Sequence, residues 1–74
     1  MKVAKITLWD GREFYASEPT HETLSRFRDN VRFEAGDQMP KDATMHVDML
    51  EMTDAEYAAI PASADAHRLF SPQH

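Results

Sequence analysis

The chain is 74 residues long, carries 13 acidic side chains against 8 Lys and Arg for a formal net charge of −5, and contains no cysteine. One small domain fits in that length. A multidomain enzyme, a Rossmann nucleotide-binding unit and a cysteine-ligated zinc ribbon are excluded.

The chain opens on an alternating segment, Val3 to Leu8, with Ala4, Ile6 and Leu8 on one side and Lys5 and Thr7 on the other. This predicts a strand with one wet face. Asp10-Gly11 is a turn signal, and Arg12 to Ser17 alternates again through Phe14 and Ala16. A two-residue loop would pair Ile6 with Tyr15 and put Phe14 on the wrong face. A three-residue loop, Trp9-Asp10-Gly11, pairs Leu8 with Arg12, Ile6 with Phe14 and Ala4 with Ala16, so every apolar residue shares one face. It also sets Gly11 where a type I turn with a G1 bulge needs a left-handed residue. This register predicts Trp9 at the hairpin tip and Tyr15 on the outer face near Lys5.

Thr20 is a helix cap and Glu22 lies in the first turn, where its charge favours the positive end of the helix dipole. Leu24, Phe27 and Val31 follow at helical spacing, with Arg26, Arg28 and Arg32 off that stripe and in water. The helix is expected to end near Asn30, because residues 31–35 alternate and read as a short strand. Gly36 to Asp42 has loop composition. Ala43 to Met52 alternates, with Met45, Val47 and Met49 on one side and Thr44, His46 and Asp48 on the other. Thr53-Asp54-Ala55-Glu56 is a capping box that starts a short helix running to about Ala59. Pro61 ends it, Ser63 is a candidate cap for a last turn through Ala66 to Phe70, and 71–74 read as a frayed tail.

These elements predict an α+β fold: a small antiparallel sheet, made of the N-terminal hairpin and one or two later strands, covered by one helix, with a short helix at the end. Residues 1–70 form the single domain. The expected core is Ile6, Leu8, Phe14, Leu24, Phe27, Val31, Val47 and Met49. Leu50 and Met52, on the opposite face of the last strand, are the methionine-rich segment's candidates for exposure.

Charge is distributed unevenly. Residues 1–34 hold six bases and six acids, whereas 35–74 hold Lys41 and Arg68 against Asp37, Asp42, Asp48, Glu51, Asp54, Glu56 and Asp65. The whole net charge therefore belongs to the second half, which bears on partners more than on fold. The one basic cluster, Arg26, Arg28 and Arg32, shares its helix with acids and reads as a solvated face, so direct nucleic-acid binding is not expected. No apolar run approaches the ~18 residues that span a bilayer, and the first residues lack the apolar centre of a signal peptide. With zero cysteine, this fits a cytoplasmic protein with no membrane contact.

Little catalytic chemistry is visible. Two glycines cannot build a phosphate-cradling loop. No serine lies in a nucleophile-elbow context. His46 and Asp48 would share a strand face, as a pair of metal ligands, an acid–base couple or plain solvated residues, but no third ligand follows by spacing. The expectation is a non-enzyme with no cofactor and no metal. Spaced carboxylates on a rigid scaffold can instead imitate a phosphate backbone and occupy a basic groove. The candidate partner-binding residues are Trp9, Asp37, Asp42, Asp48, Glu51, Asp54 and Glu56, Trp9 as an aromatic anchor.

A short, cysteine-free, acidic α+β chain that opens with Ile6-Thr7-Leu8-Trp9-Asp10-Gly11-Arg12-Glu13-Phe14 and closes with Met52-Thr53-Asp54-Ala55-Glu56-Tyr57-Ala58-Ala59-Ile60-Pro61-Ala62 resembles small accessory proteins of phages and prophages, anti-CRISPR proteins among them. The resemblance implies an inhibitor that binds a CRISPR effector complex and blocks its nucleic-acid groove or a subunit contact. It is one of style over most of the chain, so no residue's role is carried over from it. The alternatives are a structural or regulatory partner in a host or phage assembly, and a small metal-dependent enzyme using His46 and Asp48, with His67 as a further participant.

Overall fold

A computed structural model describes residues 1–69, with side chains through His67; Phe70 and the 71–74 tail lie outside the described residues. The elements are β1 (Lys2–Leu8), β2 (Glu13–Ser17), α1 (His21–Ala35), β3 (Met45–Glu51), α2 (Asp54–Ala58) and α3 (Ala66–Leu69), with 3-10 turns at Gly36–Gln38 and Ala62–Ala64. The fold is α+β, with a three-stranded antiparallel sheet in the order β2-β1-β3.

The hairpin has the three-residue register. Ile6 lies opposite Phe14 and Ala4 opposite Ala16. The Leu8 N–H donates to the Arg12 carbonyl at 2.9 Å, and the Gly11 N–H to the Leu8 carbonyl at 3.0 Å. Gly11 has φ 89°, a left-handed conformation that costs glycine nothing. The Asp10 carboxylate closes the turn, accepting from the Arg12 N–H at 3.1 Å and from its Nε at 2.7 Å.

α1 begins where expected. The Thr20 hydroxyl accepts from the Thr23 N–H at 3.1 Å, one of the donors a helix start leaves orphaned. It does not end at Asn30, and 31–35 is not a strand: the helix continues to Ala35. Val31 falls four residues after Phe27 and seven after Leu24, so the apolar stripe runs on for another turn. Gly36, at φ 53°, stops the helix by returning its N–H to the Arg32 carbonyl. The alternation that imitates a strand comes from Phe33, which points away from the core and is 87% exposed.

The core comprises Ala4, Ile6, Leu8, Phe14, Ala16, Phe27, Val31 and Ala66, with Trp9, Leu24, Met45 and Val47 partly buried against it. Phe14 and Phe27 meet at 5.3 Å with ring planes 60° apart, tying the hairpin to α1. Five of the eight expected core residues are buried. Leu24 and Val47 are half-buried at the margin, and Met49 is 55% exposed. β3 is an edge strand, with Met49 on the same face as Met45 and Val47.

The opposite face of the sheet is not uniformly wet. Val3, on that face, is fully buried, in one cross-strand row with Ser17 and Leu50. Tyr57 covers this end. Its hydroxyl lies beside Ser17 and donates to the Asp65 carboxylate at 3.1 Å. Leu50 and Met52 are therefore half-buried, and the methionine facing solvent is Met49, the reverse of the expected order.

α2 starts on a complete capping box. The Thr53 hydroxyl accepts the Glu56 N–H at 3.1 Å, and the Glu56 carboxylate accepts the Thr53 N–H at 2.9 Å. Ser63 sits inside a 3-10 turn and caps nothing further on. The cap of α3 is Asp65, whose carboxylate accepts the His67 N–H at 3.1 Å. From there Ala66 inserts into the core. Asp65 also bridges Tyr15 in parallel, so the C-terminal segment lies along the outer edge of β2.

Candidate functional site

Trp9 is half-buried at the hairpin tip, packed against the core cluster. It separates two surface cavities beside the end of α1. The larger, about 240 Å³, is lined by Leu8, Asp10, Arg12, Val31 and Glu34 as well as the indole. The smaller, about 70 Å³, is lined by Leu8, Arg28, Val31, Arg32 and Met45 as well as the indole. The indole thus packs against the core and borders both cavities, with part of its surface still presented to solvent.

The six candidate carboxylates do not form one patch. Asp37 belongs to the 3-10 turn after α1 and Asp42 to the loop leading into β3. Glu51, Asp54 and Glu56 lie at the other end of β3, around the start of α2. Six strand residues, Met45 to Leu50, separate the groups, roughly 20 Å at strand rise. Asp48 lies between them on the face away from α1, opposite Lys5. All six residues are exposed.

Their engagements differ. The Glu56 carboxylate is held below its ordinary range because it accepts the Thr53 N–H, so it serves the helix cap first. Glu51 reaches the N-terminal ammonium at 3.9 Å. Asp48 Oδ1 lies 3.1 Å from His46 Nε2, both side chains in solvent. None of the six forms an ion pair with a Lys or Arg within 4 Å among the described residues, although Asp48 lies opposite Lys5 and Glu51 opposite Lys2. Four of the six bases of the first half behave otherwise: Lys5 pairs with Glu13 at 3.0 Å, Arg12 with Asp10 at 2.7 Å, Arg26 with Glu22 at 3.0 Å and Arg28 with Asp29 at 3.8 Å. Glu13 holds the Lys5 ammonium above its usual pKa, through the hydrogen bond and then its charge. Sequence counting showed that the halves differ in net charge. The pairing shows that four of the six bases in the neutral half are matched within it.

His46 and Asp48 share a face as their spacing required. Among the described residues, no three His, Cys, Asp or Glu side chains gather where a metal ion could bind. His67 is remote from them; its Nε2 donates to the Ser17 carbonyl at 2.9 Å and fastens α3 to the end of β2. Sequence reasoning did not find Tyr57 or Asp65 as the residues that seat the C-terminal segment. The one available signal was their spacing of eight residues, which specifies no contact.

No helix among the described residues is long and apolar enough to cross a membrane. Comparison with protein-family models, curated proteins and solved structures finds no match to this chain.

Proposed function

We propose that this protein is a non-catalytic binding module whose acidic second half engages a basic surface on a protein partner. The observation that carries the reading is the pairing pattern. Four bases of the hairpin and α1 are each matched by a neighbouring acid, while the exposed carboxylates of 37–56 make no ion pair with a Lys or Arg among the described residues, although Asp48 and Glu51 face Lys5 and Lys2 across the strand pair. Unmatched surface charge of one sign steers a complementary partner and selects against others. Two acidic groups about 20 Å apart, with Asp48 between them, suit an extended basic groove better than a single pocket.

The resemblance to phage accessory proteins makes the partner a CRISPR effector complex, and the action inhibition: the carboxylates occupy a surface that otherwise holds nucleic acid or a neighbouring subunit. The function is cytoplasmic and needs no cofactor.

The test is target-DNA binding by a purified effector complex from the host, with increasing amounts of this protein. Inhibition that weakens steeply as salt rises supports the reading. The triple variant Asp48→Lys, Glu51→Lys, Asp54→Lys should lose inhibition while keeping the circular dichroism of the parent. Full inhibition by that folded variant refutes the acidic surface. An effector whose DNA binding and subunit assembly are untouched by the parent protein refutes the inhibitor assignment.

A further inference from the structure

We propose that the outer edge of β3 is a homotypic interface, on which a second copy of this chain pairs β3 against β3, antiparallel, about a two-fold axis through Val47. The proposal does not rest on the acidic-surface reading; the side chain the two share is that of Asp48.

The sheet has two edges, and the chain treats them differently. The β2 edge is covered by the C-terminal segment, through the Tyr15–Asp65 bridge and the His67 bond to the Ser17 carbonyl. Nothing among the described residues pairs with the outer edge of β3, which is seven residues long. An uncovered edge is a template for another strand, and proteins that avoid this use charged side chains, lysine above all, proline or a bulge. β3 contains no Lys, Arg or Pro, its charged residues being Asp48 and Glu51, and its register with β1 is unbroken.

The ladder shows which groups are free. Met1 and Met52 exchange both backbone bonds, at 2.6 and 2.9 Å. Antiparallel pairs alternate, so Leu50, Asp48 and His46 are the β3 residues bonded to β1. The N–H and C=O groups of Met45, Val47, Met49 and Glu51 therefore point outward. The side chains of Met45, Val47 and Met49 line the same margin on the α1 side, with Met49 55% exposed.

Outward groups bond only to outward groups, which limits the two-fold to an axis through a residue. An axis at Asp48 sets two carboxylates opposite each other, a destabilising pair. An axis at His46 opposes two imidazoles, and one at Met49 sets Val47 against a Glu51 carboxylate. The axis at Val47 has none of these faults. It places Met45 opposite the partner's Met49, Val47 opposite the partner's Val47, and His46 opposite the partner's Asp48. Apolar meets apolar on the helix side. On the other face imidazole and carboxylate alternate both along each strand, as they already do at 3.1 Å, and across the pair. The product is a six-stranded sheet with both α1 helices on one side, and it covers Met49.

The chain's lack of cysteine permits a direct test. Directly opposed residues in a bonded pair have Cα atoms about 5.5 Å apart, within disulfide reach, so Val47→Cys should cross-link to a dimer under mild oxidation. Met49→Cys, displaced from its own copy by four residues of strand, should cross-link at least tenfold more slowly. Sedimentation velocity on the unmodified chain should give twice 8.5 kDa. Met49→Pro removes an N–H that β1 does not use, and should give a folded monomer. A parent protein that stays monomeric at several hundred micromolar overturns the proposal, including the case in which a strand from another protein occupies the edge. Equal cross-linking of the two cysteine variants overturns the register. Should Met49→Pro fail to fold, the cysteine comparison decides alone.

Discussion

The contact between Phe14 and Phe27 joins the hairpin to α1, and a double-mutant cycle there tests the core. The rings meet at 5.3 Å and 60°, both side chains at least 95% buried. Replacing either with Leu removes the aromatic geometry while keeping most of the apolar volume. Each single substitution should cost about 1–2 kcal/mol, below the ~3–5 kcal/mol of a Phe-to-Ala change because a smaller cavity is left. The rings add about 0.5–1.5 kcal/mol beyond their buried area. The double variant should therefore be destabilised by less than the sum of the singles, by that amount. At 0.05–0.15 kcal/mol per residue the domain holds about 4–11 kcal/mol in all, so the variants should remain folded. The assay is urea unfolding followed by circular dichroism. With a slope of about 1 kcal/mol per molar urea, a coupling of 1 kcal/mol appears as a discrepancy of about 1 M between the observed and additive midpoints. Strict additivity would refute the direct ring contact, and with it the placement of α1 over the hairpin.

Residues 31–35 separate helix from strand in a second experiment. Val31→Ala should cost about 1–2 kcal/mol, whereas Phe33→Ser, at a position 87% exposed, should move stability by no more than ~0.5 kcal/mol, both read from urea midpoints. The capping box predicts a pH dependence. The Thr53 N–H holds the Glu56 carboxyl below its ordinary 4.5, so its charged form is favoured in the folded chain. That contribution is present above pH 4.5 and lost as pH falls through the lower folded value. Glu56→Gln keeps an acceptor but does not titrate, so its melting-temperature deficit against the parent should close between pH 7 and about pH 3; a constant deficit would refute the linkage. Thr53→Ala should cost about 1 kcal/mol at both pH values.

What the sequence determined by itself is what neighbouring residues settle among themselves. The hairpin register follows from period-two alternation and from Gly11, because a two-residue loop turns Phe14 to the wrong face and Gly11 supplies the left-handed residue of the three-residue one. The caps at Thr20 and Thr53 follow from side chains that reach backbone three residues away. The common face of His46 and Asp48 follows from strand geometry alone. Tertiary structure decided the rest, since it depends on what packs from elsewhere in the chain. Residues 31–35 satisfy two periods, and α1 takes them because Val31 finds Phe27 and the sheet beneath it. Val3 is buried although it lies on the face away from α1, in the row of Ser17 beside the Tyr57 hydroxyl, and Met49 is exposed although it shares the core face, outcomes that alternation alone does not specify. The acids of the second half are contiguous in sequence, yet β3 holds them in two separated groups. Burial and surface charge are properties of an arrangement, and local pattern constrains only the elements that enter it.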